Sequence, residues 1–139
     1  MTDHIECLKV DLLSHTGRVG LFRAKEINVP SVNGYIGILP KHAALVCELG
    51  LGKVTISLSG SDESETYFIN GGYLNVVEDE VKLLLDTVEH KSSIDIERSK
   101  RAQDRANRHL GVSGDSGDIV RAQAALSRAL YRLKVARSK

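Results

Sequence analysis

The sequence predicts an α+β protein in which an N-terminal antiparallel β-sandwich is followed by a C-terminal α-helical hairpin. Apolar residues alternate with polar ones up to about Asp86, as in half-buried strands, whereas later they recur every three or four residues. The charge changes at the same place, because residues 1–90 carry 7 Lys/Arg against 13 Asp/Glu and residues 91–139 carry 12 against 5. We therefore place a β domain at residues 1–88 and a two-helix domain at residues 89–139.

Short strands separated by turns are predicted throughout the β domain. Leu8–Leu12 alternates apolar and polar residues, and Asn70-Gly71-Gly72 is a strong signal for a turn or bulge. Farther along, Tyr73–Val77 and Val81–Leu85 flank the acidic turn Glu78-Asp79-Glu80 and are predicted to form a hairpin. Several short strands at this spacing favour an antiparallel sandwich or barrel.

Two helices are predicted after the β domain. The first ends near Leu110, with Gly111 as its C-cap, and residues 111–117 form a flexible turn. Candidate N-caps are Ser92, Ser93 and Asp95 for the first helix and Ser116 and Asp118 for the second. Each helix has a narrow stripe of mostly small residues, namely Ser99, Ala102, Ala106 and Leu110, then Ile119, Ala122, Leu126, Ala129, Leu133 and Ala136. Because alanine buries little apolar area, we expect the hairpin to need the sandwich, a ligand or a partner to stay folded.

The sequence contains no recognisable catalytic or metal-binding motif. Gly50–Val54 is only faintly similar to a phosphate-binding loop, because Cys47 and Val54 stand where glycine and a hydroxyl residue belong. His42 is a candidate general base, but a structural histidine hydrogen-bonded within its own corner is favoured. Cys7 and Cys47 belong to no CxxC pair and are interpreted as free thiols of a reducing compartment. An enzyme that uses His42 or a cysteine is therefore the weakest functional hypothesis.

No segment of the sequence predicts a membrane span or a signal peptide. No apolar run approaches the roughly 20 residues that cross a bilayer. Asp3 and Glu6 stand where a signal peptide would be first basic and then apolar. We therefore expect the protein to be made and kept in a cytosol-like compartment.

The arginines of the helical domain form two rows. Their spacing of three, four or seven residues places Arg98, Arg101, Arg105 and Arg108 on one face of the first helix and Arg121, Arg128 and Arg132 on one face of the second. Such rows bind phosphates, acidic protein or nucleic acid, or they are simply solvated faces. The absence of interleaved aromatic residues argues against nucleic acid. A stand-alone module whose basic hairpin grips RNA or an acidic protein is thus the alternative functional hypothesis.

A bent, tightly specified corner is predicted between Val29 and Leu45. Two glycines, two prolines and one histidine lie there among apolar residues. Glycine permits positive φ, and proline fixes φ and removes a backbone donor, so this composition restricts the path of the chain. We expect the corner to shape a surface that a partner must fit.

Four motifs together resemble the epsilon subunit of F-type ATP synthases over essentially the whole chain. Gly34–Leu45, GYIGILPKHAAL, resembles the family signature G-x-[IL]-G-[IL]-[LM]-P-x-H-A-x-L. Gly71–Val76 is similar to the second marker, Val81–Glu89 to the strand that closes the family's sandwich, and Ile94–Arg98 to the start of its nucleotide-binding motif. The chain departs from the family where Lys41 replaces the usual Gly, Ala44 a frequent Pro, and Ser99 the Ala that follows the motif's arginine.

The resemblance implies a non-catalytic central-stalk (rotor) subunit of a proton-translocating ATP synthase, which couples ion flow to ATP synthesis. The sandwich would contact the gamma subunit and the c-subunit ring, and the extended hairpin would reach the alpha and beta subunits and inhibit ATP hydrolysis. The implied interface residues are Gly34, Gly37, Pro40, His42, Gly71 and Gly72. The implied location is peripheral, on the cytoplasmic face of the inner (plasma) membrane or on the stromal side of a plastid thylakoid. Neither nucleic acid nor direct membrane insertion is expected.

The resemblance also implies a regulatory nucleotide rather than a required cofactor. In family members that bind ATP, the nucleotide steadies the folded hairpin. The positions that match this pattern are Glu89, Ile94, Asp95, Arg98, Arg105, Arg128 and Arg132. No catalytic and no metal-binding residue is implied.

Overall fold

The computed structural model describes residues 6–111 and 116–138, which form two compact units that divide between His90 and Lys91. The sequence placed this boundary after residue 88, which lies within the last strand of the first unit. Three stretches lie outside the described residues. They are residues 1–5 (with Asp3), residues 112–115 of the predicted glycine-rich turn, and Lys139.

Six strands make up the first unit. In chain order they are β1 (Leu8–Ser14), β2 (Gly17–Ser31), β3 (Gly34–Ile38), β4 (Leu45–Leu58), β5 (Ser64–Val77) and β6 (Glu80–His90). They are hydrogen-bonded in the order β1-β6-β5-β4-β2-β3, and β1 also pairs with β2, so the sheet closes around one core. The predicted β-sandwich is confirmed, although β1 and β6 run parallel whereas the other neighbouring pairs are antiparallel.

The strands are longer than the sequence predicted. β5 continues through Asn70-Gly71-Gly72, where we expected a turn or bulge, and its pairing with β6 keeps one register on both sides. Gly71 and Gly72 have φ of 87° and 142°, which L residues rarely adopt. A Cβ on Gly72 would lie 2.2 Å from the carbonyl oxygen of Leu84. The glycine pair is therefore a bend inside one strand rather than a turn between two.

The predicted hairpin of β5 and β6 is confirmed. Val77 pairs with Glu80, and the two residues between them, Glu78 and Asp79, have φ of 49° and 64°. Positive φ at both central residues is the geometry of a tight two-residue hairpin turn. The core of the first unit is made of alternate residues of these strands and their neighbours, and its largest fully buried members include Leu8, Leu12, Ile27, Ile56, Leu74 and Leu83.

The second unit consists of a 3₁₀ turn (Lys91–Ser93) and the helices α1 (Ile96–Leu110) and α2 (Ser116–Ala136). Asp95 caps α1 as predicted, because its carboxylate accepts a hydrogen bond from the Arg98 amide at 3.0 Å. Gly111 is the predicted C-cap, yet its φ of −79° is right-handed and does not require glycine.

The beginning of α2 differs from the prediction, since the proposed caps Ser116 and Asp118 both lie within the helix. The position before the helix therefore falls outside the described residues. The predicted stripe is buried at Ser99 and Ala106 of α1 and at Ala122, Ala129 and Leu133 of α2, whereas Ile119 is exposed.

Candidate functional site

A cleft of about 600 Å³ lies between α1 and α2. Its apolar lining is made of small side chains from the facing stripes, namely Ala102, Ala106, Ala122 and Ala125. Its polar lining is mostly basic and consists of Arg105, His109, Asp118, Arg121, Arg128 and Arg132. Small residues leave room between the helix axes, and the guanidinium groups are planar donors suited to phosphate or carboxylate oxygens. The cleft is thus shaped and charged for an anionic ligand.

Three of the predicted nucleotide positions, Arg105, Arg128 and Arg132, line this cleft. Arg98 is exposed on α1 outside the lining. Ile94 is buried, and Asp95 is engaged as the helix cap, where the Ser99 hydroxyl also donates to its carbonyl at 3.0 Å. Glu89 lies near the end of β6, in the other unit.

The predicted nucleotide positions did not include three polar residues that line the cleft, His109, Asp118 and Arg121. Arg121 Nη2 lies 2.5 Å from Asp118 Oδ1, so one carboxylate offsets part of the positive charge at this end. The spacing of three residues between Asp118 and Arg121 was the available signal, because such residues are neighbours on a helix surface.

The corner between β3 and β4 is tied to a distant turn. The Lys41 amide donates a hydrogen bond to Asp79 Oδ1 at 2.6 Å, although the two residues are 38 positions apart. Lys41 has φ of 71°, in the left-handed region that glycine adopts more easily than a residue with a Cβ. Lys41 Nζ lies 2.9 Å from Glu6 Oε1, and this hydrogen bond and the charge of Glu6 raise the pKa of the lysine.

His42 is hydrogen-bonded within the corner, as the structural interpretation predicted. Its amide donates to the Leu39 carbonyl at 3.2 Å, and its Nδ1 lies 2.7 Å from the Ala43 carbonyl. Gly34 ends the β2–β3 turn with φ of 123°, and Gly37 pairs with Asn28. Pro40 and His42 are half-buried in the corner.

The outer face of the sheet carries large exposed apolar side chains. Tyr73 and Leu84 form a cross-strand pair and are each 56% exposed, and Val46 on β4 is 70% exposed. Leu13 pairs with Leu84 on the other side and is half-buried. Leu13, Leu84 and Tyr73 thus form an apolar row across three neighbouring strands, and exposed apolar rows of this kind are typical of protein-binding sites. The sequence prediction missed this face, because the interface positions came from the glycine- and proline-rich motifs.

The other candidate groups are the two cysteines and possible metal ligands. Cys7 and Cys47 are free and half-buried, and burial raises the pKa of the Cys47 thiol. Within residues 6–111 and 116–138, no group of three or more His, Cys, Asp or Glu could hold a metal ion. Across the same residues, neither helix combines the length and the apolar character that crossing a membrane requires.

Two family models match the chain in succession. Residues 7–91 match the ATP synthase delta/epsilon chain β-sandwich domain, and residues 92–137 match the long α-helix domain of the same chain. The chain belongs to the ATP synthase delta/epsilon chain family. Membership makes it a non-catalytic rotor subunit of the central stalk, which serves ATP synthesis and ion transport as part of the complex.

Curated relatives of this family are similar over most of the chain. The ATP synthase epsilon chain of Moorella thermoacetica is 40% identical over 113 residues, which cover 81% of this chain and 84% of the relative. The epsilon chain of Lacticaseibacillus casei is 31% identical over 139 residues and covers 97% of both chains. None of these matches supports the stand-alone RNA- or acidic-protein-binding hypothesis.

Chains in two solved structures share the fold of this protein. A chain of the Euglena gracilis mitochondrial ATP synthase (OSCP/F1/c-ring) gives a TM-score of 0.84 at 19% identity and covers 99% of this chain and 85% of that one. A chain from the central stalk/c-ring structure of the Tetrahymena thermophila mitochondrial ATP synthase gives a TM-score of 0.68 at 13% identity. This match covers 97% of this chain and 99% of that one.

Proposed function

We propose that the sandwich docks this rotor subunit to the gamma subunit and the c-subunit ring, and that the helical hairpin regulates ATP hydrolysis with ATP as its ligand. The observation that carries the regulatory part is the cleft of about 600 Å³ lined by Arg105, Arg121, Arg128 and Arg132. The regulatory part therefore concerns the second unit and the docking part the first.

Docking is supported by the outer apolar face and by the corner. Tyr73 and Leu84 are large and exposed. Each Å² of apolar surface that stays in contact with water costs about 25 cal/mol relative to burial. Aromatic anchors inside an apolar patch are typical of protein interfaces. Both solved neighbours come from structures that contain a c-ring, and one of these structures is of the central stalk, which indicates the partners we propose.

ATP binding is supported by the composition of the cleft. Arginines from both helices line one cavity, so a polyphosphate bound there would bridge α1 and α2. Because the buried stripes are mostly alanine, the two helices gain little from burial alone. A ligand that binds only the closed hairpin would stabilise it by mass action. ATP would act here as a regulatory ligand and not as a required cofactor.

Inhibition by the extended hairpin is supported by charge. Residues 91–139 carry 12 Lys/Arg against 5 Asp/Glu, so this unit is strongly basic. In the proposal, the extended helices contact acidic segments of the alpha and beta subunits, and ATP opposes this by holding the hairpin closed. Electrostatic complementarity sets the encounter rate and the register of such a contact. The complex would hold the chain as a peripheral subunit on the cytoplasmic face of the membrane, or on the stromal side in a plastid.

Titration of the full chain with ATP tests the ligand. We expect calorimetric binding accompanied by slower amide hydrogen exchange in α1 and α2. Arg105→Gln and Arg128→Gln should each weaken binding by about 10- to 100-fold, the worth of a hydrogen bond to a charged group. Arg101→Gln is the matched control, because it removes the same charge from α1 outside the cleft lining. Absence of binding, or an equal loss in the control, would contradict the ATP proposal.

Hydrolysis by the assembled complex tests the inhibition. A complex whose subunit ends at His90 should hydrolyse ATP faster than one with the full chain, provided that the two contain equal amounts of the subunit. Equal hydrolysis rates would remove the inhibitory role and leave the rotor assignment intact.

A further inference from the structure

The corner formed by Leu39–His42 depends on an unfavourable backbone conformation. Lys41 has φ of 71°, in the left-handed region that residues with a Cβ seldom occupy. Its local hydrogen bonds run from the His42 amide to the Leu39 carbonyl at 3.2 Å and between His42 Nδ1 and the Ala43 carbonyl at 2.7 Å. Neither of these bonds includes the amide of Lys41, which is held instead from elsewhere in the sandwich.

Asp79 supplies that support from the β5–β6 turn. Its carboxylate accepts the Lys41 amide at 2.6 Å, and its own carbonyl accepts the Lys9 amide of β1 at 2.8 Å. The Asp79 backbone is itself fixed, since it lies in a tight turn with φ of 64°. One half-buried residue therefore joins β1, the β5–β6 turn and the corner.

The second link from the corner is weaker. Lys41 Nζ and Glu6 form an ion pair at 2.9 Å, but their side chains are 74% and 56% exposed. Exposed pairs of this kind are screened by solvent and contribute little. A short hydrogen bond from an amide to a carboxylate is charge-assisted and directional. The hydrogen bond from the Lys41 amide to the Asp79 carboxylate, and not the ion pair with Glu6, is the constraint that fixes Lys41.

We infer that Asp79 is a positioning residue that holds the Leu39–His42 corner in the shape the rotor partners bind. This inference rests on the proposed docking role of the corner. Asp79 acts through the backbone of Lys41, so its effect on binding needs no contact with a partner. It also explains how a lysine keeps a left-handed backbone conformation that glycine would adopt more easily.

The decisive variant is Asp79→Gly, because glycine tolerates the positive φ of the turn and removes only the carboxylate. In the full chain we expect the Lys41 amide to exchange at least about tenfold faster with solvent hydrogen, as measured by NMR. Affinity for an ATP synthase complex reconstituted without this subunit should fall by about tenfold. Asp79→Asn keeps the oxygen acceptor, so its exchange and affinity should stay within about threefold of the wild type.

A double variant separates positioning from direct contact. Lys41→Gly removes the backbone penalty, so Asp79→Gly combined with Lys41→Gly should bind better than Asp79→Gly alone. Glu80→Ala is the control, since Glu80 neighbours Asp79 and its side chain forms an exposed ion pair with Lys9 at 4.0 Å. If Asp79→Gly fails to fold, Asp79→Asn and Lys41→Gly still test the inference. The inference requires each of these two variants to bind the ATP synthase complex with near-normal affinity.

The outcomes distinguish this inference from the proposed function. Unchanged exchange of the Lys41 amide in Asp79→Gly would overturn the positioning role. Faster exchange with unchanged affinity would overturn the docking role of the corner, and with it the effect of Asp79 on binding. Faster exchange, weaker binding and recovery in the double variant would support both.

Discussion

The sandwich and the hairpin bury different kinds of side chain. The sandwich core is filled by large residues such as Leu12, Ile56 and Leu83, which are fully buried. The hairpin buries mostly small ones, including Ala106 and Ala129. Since stabilisation grows with buried apolar area, the first unit has a large core and the second a thin one. The same chain thus contains a stable platform and, in our proposal, an element whose stability responds to a ligand or a partner.

The two units also differ in charge, and this difference matches the functions that we propose for them. The acidic sandwich exposes an apolar row for protein docking, whereas the basic hairpin lines a cleft with guanidinium groups. In the proposed function, docking therefore belongs to the first unit and ligand response to the second.

Gly72→Ala should damage the sandwich most. Its Cβ would lie 2.2 Å from the Leu84 carbonyl oxygen, and its φ of 142° is strained for alanine. We expect the free energy of unfolding in urea to fall by about 4 kcal/mol, the combined cost of overpacking and backbone strain. Gly60→Ala is the control, because Gly60 has φ of 79° and open space, so only about 1 kcal/mol should be lost. Similar losses in both would show that crowding at Gly72 relaxes easily.

Leu83→Ala should remove about 3 kcal/mol of stability, because Leu83 is fully buried in the sandwich core. Its neighbour provides a contrast, since Leu84 points outward and is 56% exposed. Leu84→Ala should change urea unfolding by less than about 0.5 kcal/mol while weakening assembly into the ATP synthase complex. Normal assembly of Leu84→Ala would separate the apolar row from docking.

Asp95→Ala should destabilise α1 by about 1 kcal/mol, because the Arg98 amide loses its capping acceptor. Amide hydrogen exchange in the first turn of α1 should accelerate about fivefold. Asp104→Ala serves as the control, since Asp104 is exposed within the same helix. Amides in the sandwich should be unaffected, and faster exchange there would break the contrast between the two units.

The smallest effect concerns alkaline pH. Burial, together with the nearby charge of Glu65, raises the pKa of Tyr67. The folded state therefore favours the protonated phenol, and this contribution to stability is present below pH about 10 and lost as pH rises through the folded pKa. Tyr67→Phe should show a shallower loss of stability above pH 10 in urea unfolding. An identical pH profile would show that Tyr67 does not contribute.

Local patterns were sufficient where neighbouring residues form the structure. The hairpin between Tyr73–Val77 and Val81–Leu85, the Asp95 cap and the end of α1 near Leu110 were all predicted correctly. In each case the deciding hydrogen bonds join residues close in sequence, so periodicity and capping chemistry contain the information. The family motifs added the partners and the arginine positions.

Other features depend on residues far apart in the chain. Period-2 alternation does not specify which strand lies beside which, so the parallel pairing of β1 with β6 was not foreseen. The glycine pair was predicted to form a turn or bulge, but β5 continues through it, and the need for glycine at position 72 comes from the close Leu84 carbonyl on the next strand. The cleft lining likewise depends on how α1 and α2 face each other, which added His109 and Asp118 to the predicted arginines.

By itself the sequence determined the two-unit architecture, the basic character of the hairpin and the family, because these depend on local pattern and composition. Only the tertiary structure decided what supports the corner. In the sequence, Lys41 is a departure from the family's usual glycine. Its hydrogen-bond partner Asp79 lies 38 residues away, in a turn that the sequence showed only to be acidic. A hydrogen bond across that separation forms only when β4 pairs with β5, since the pairing of Leu45 with Val76 brings the corner beside the β5–β6 turn.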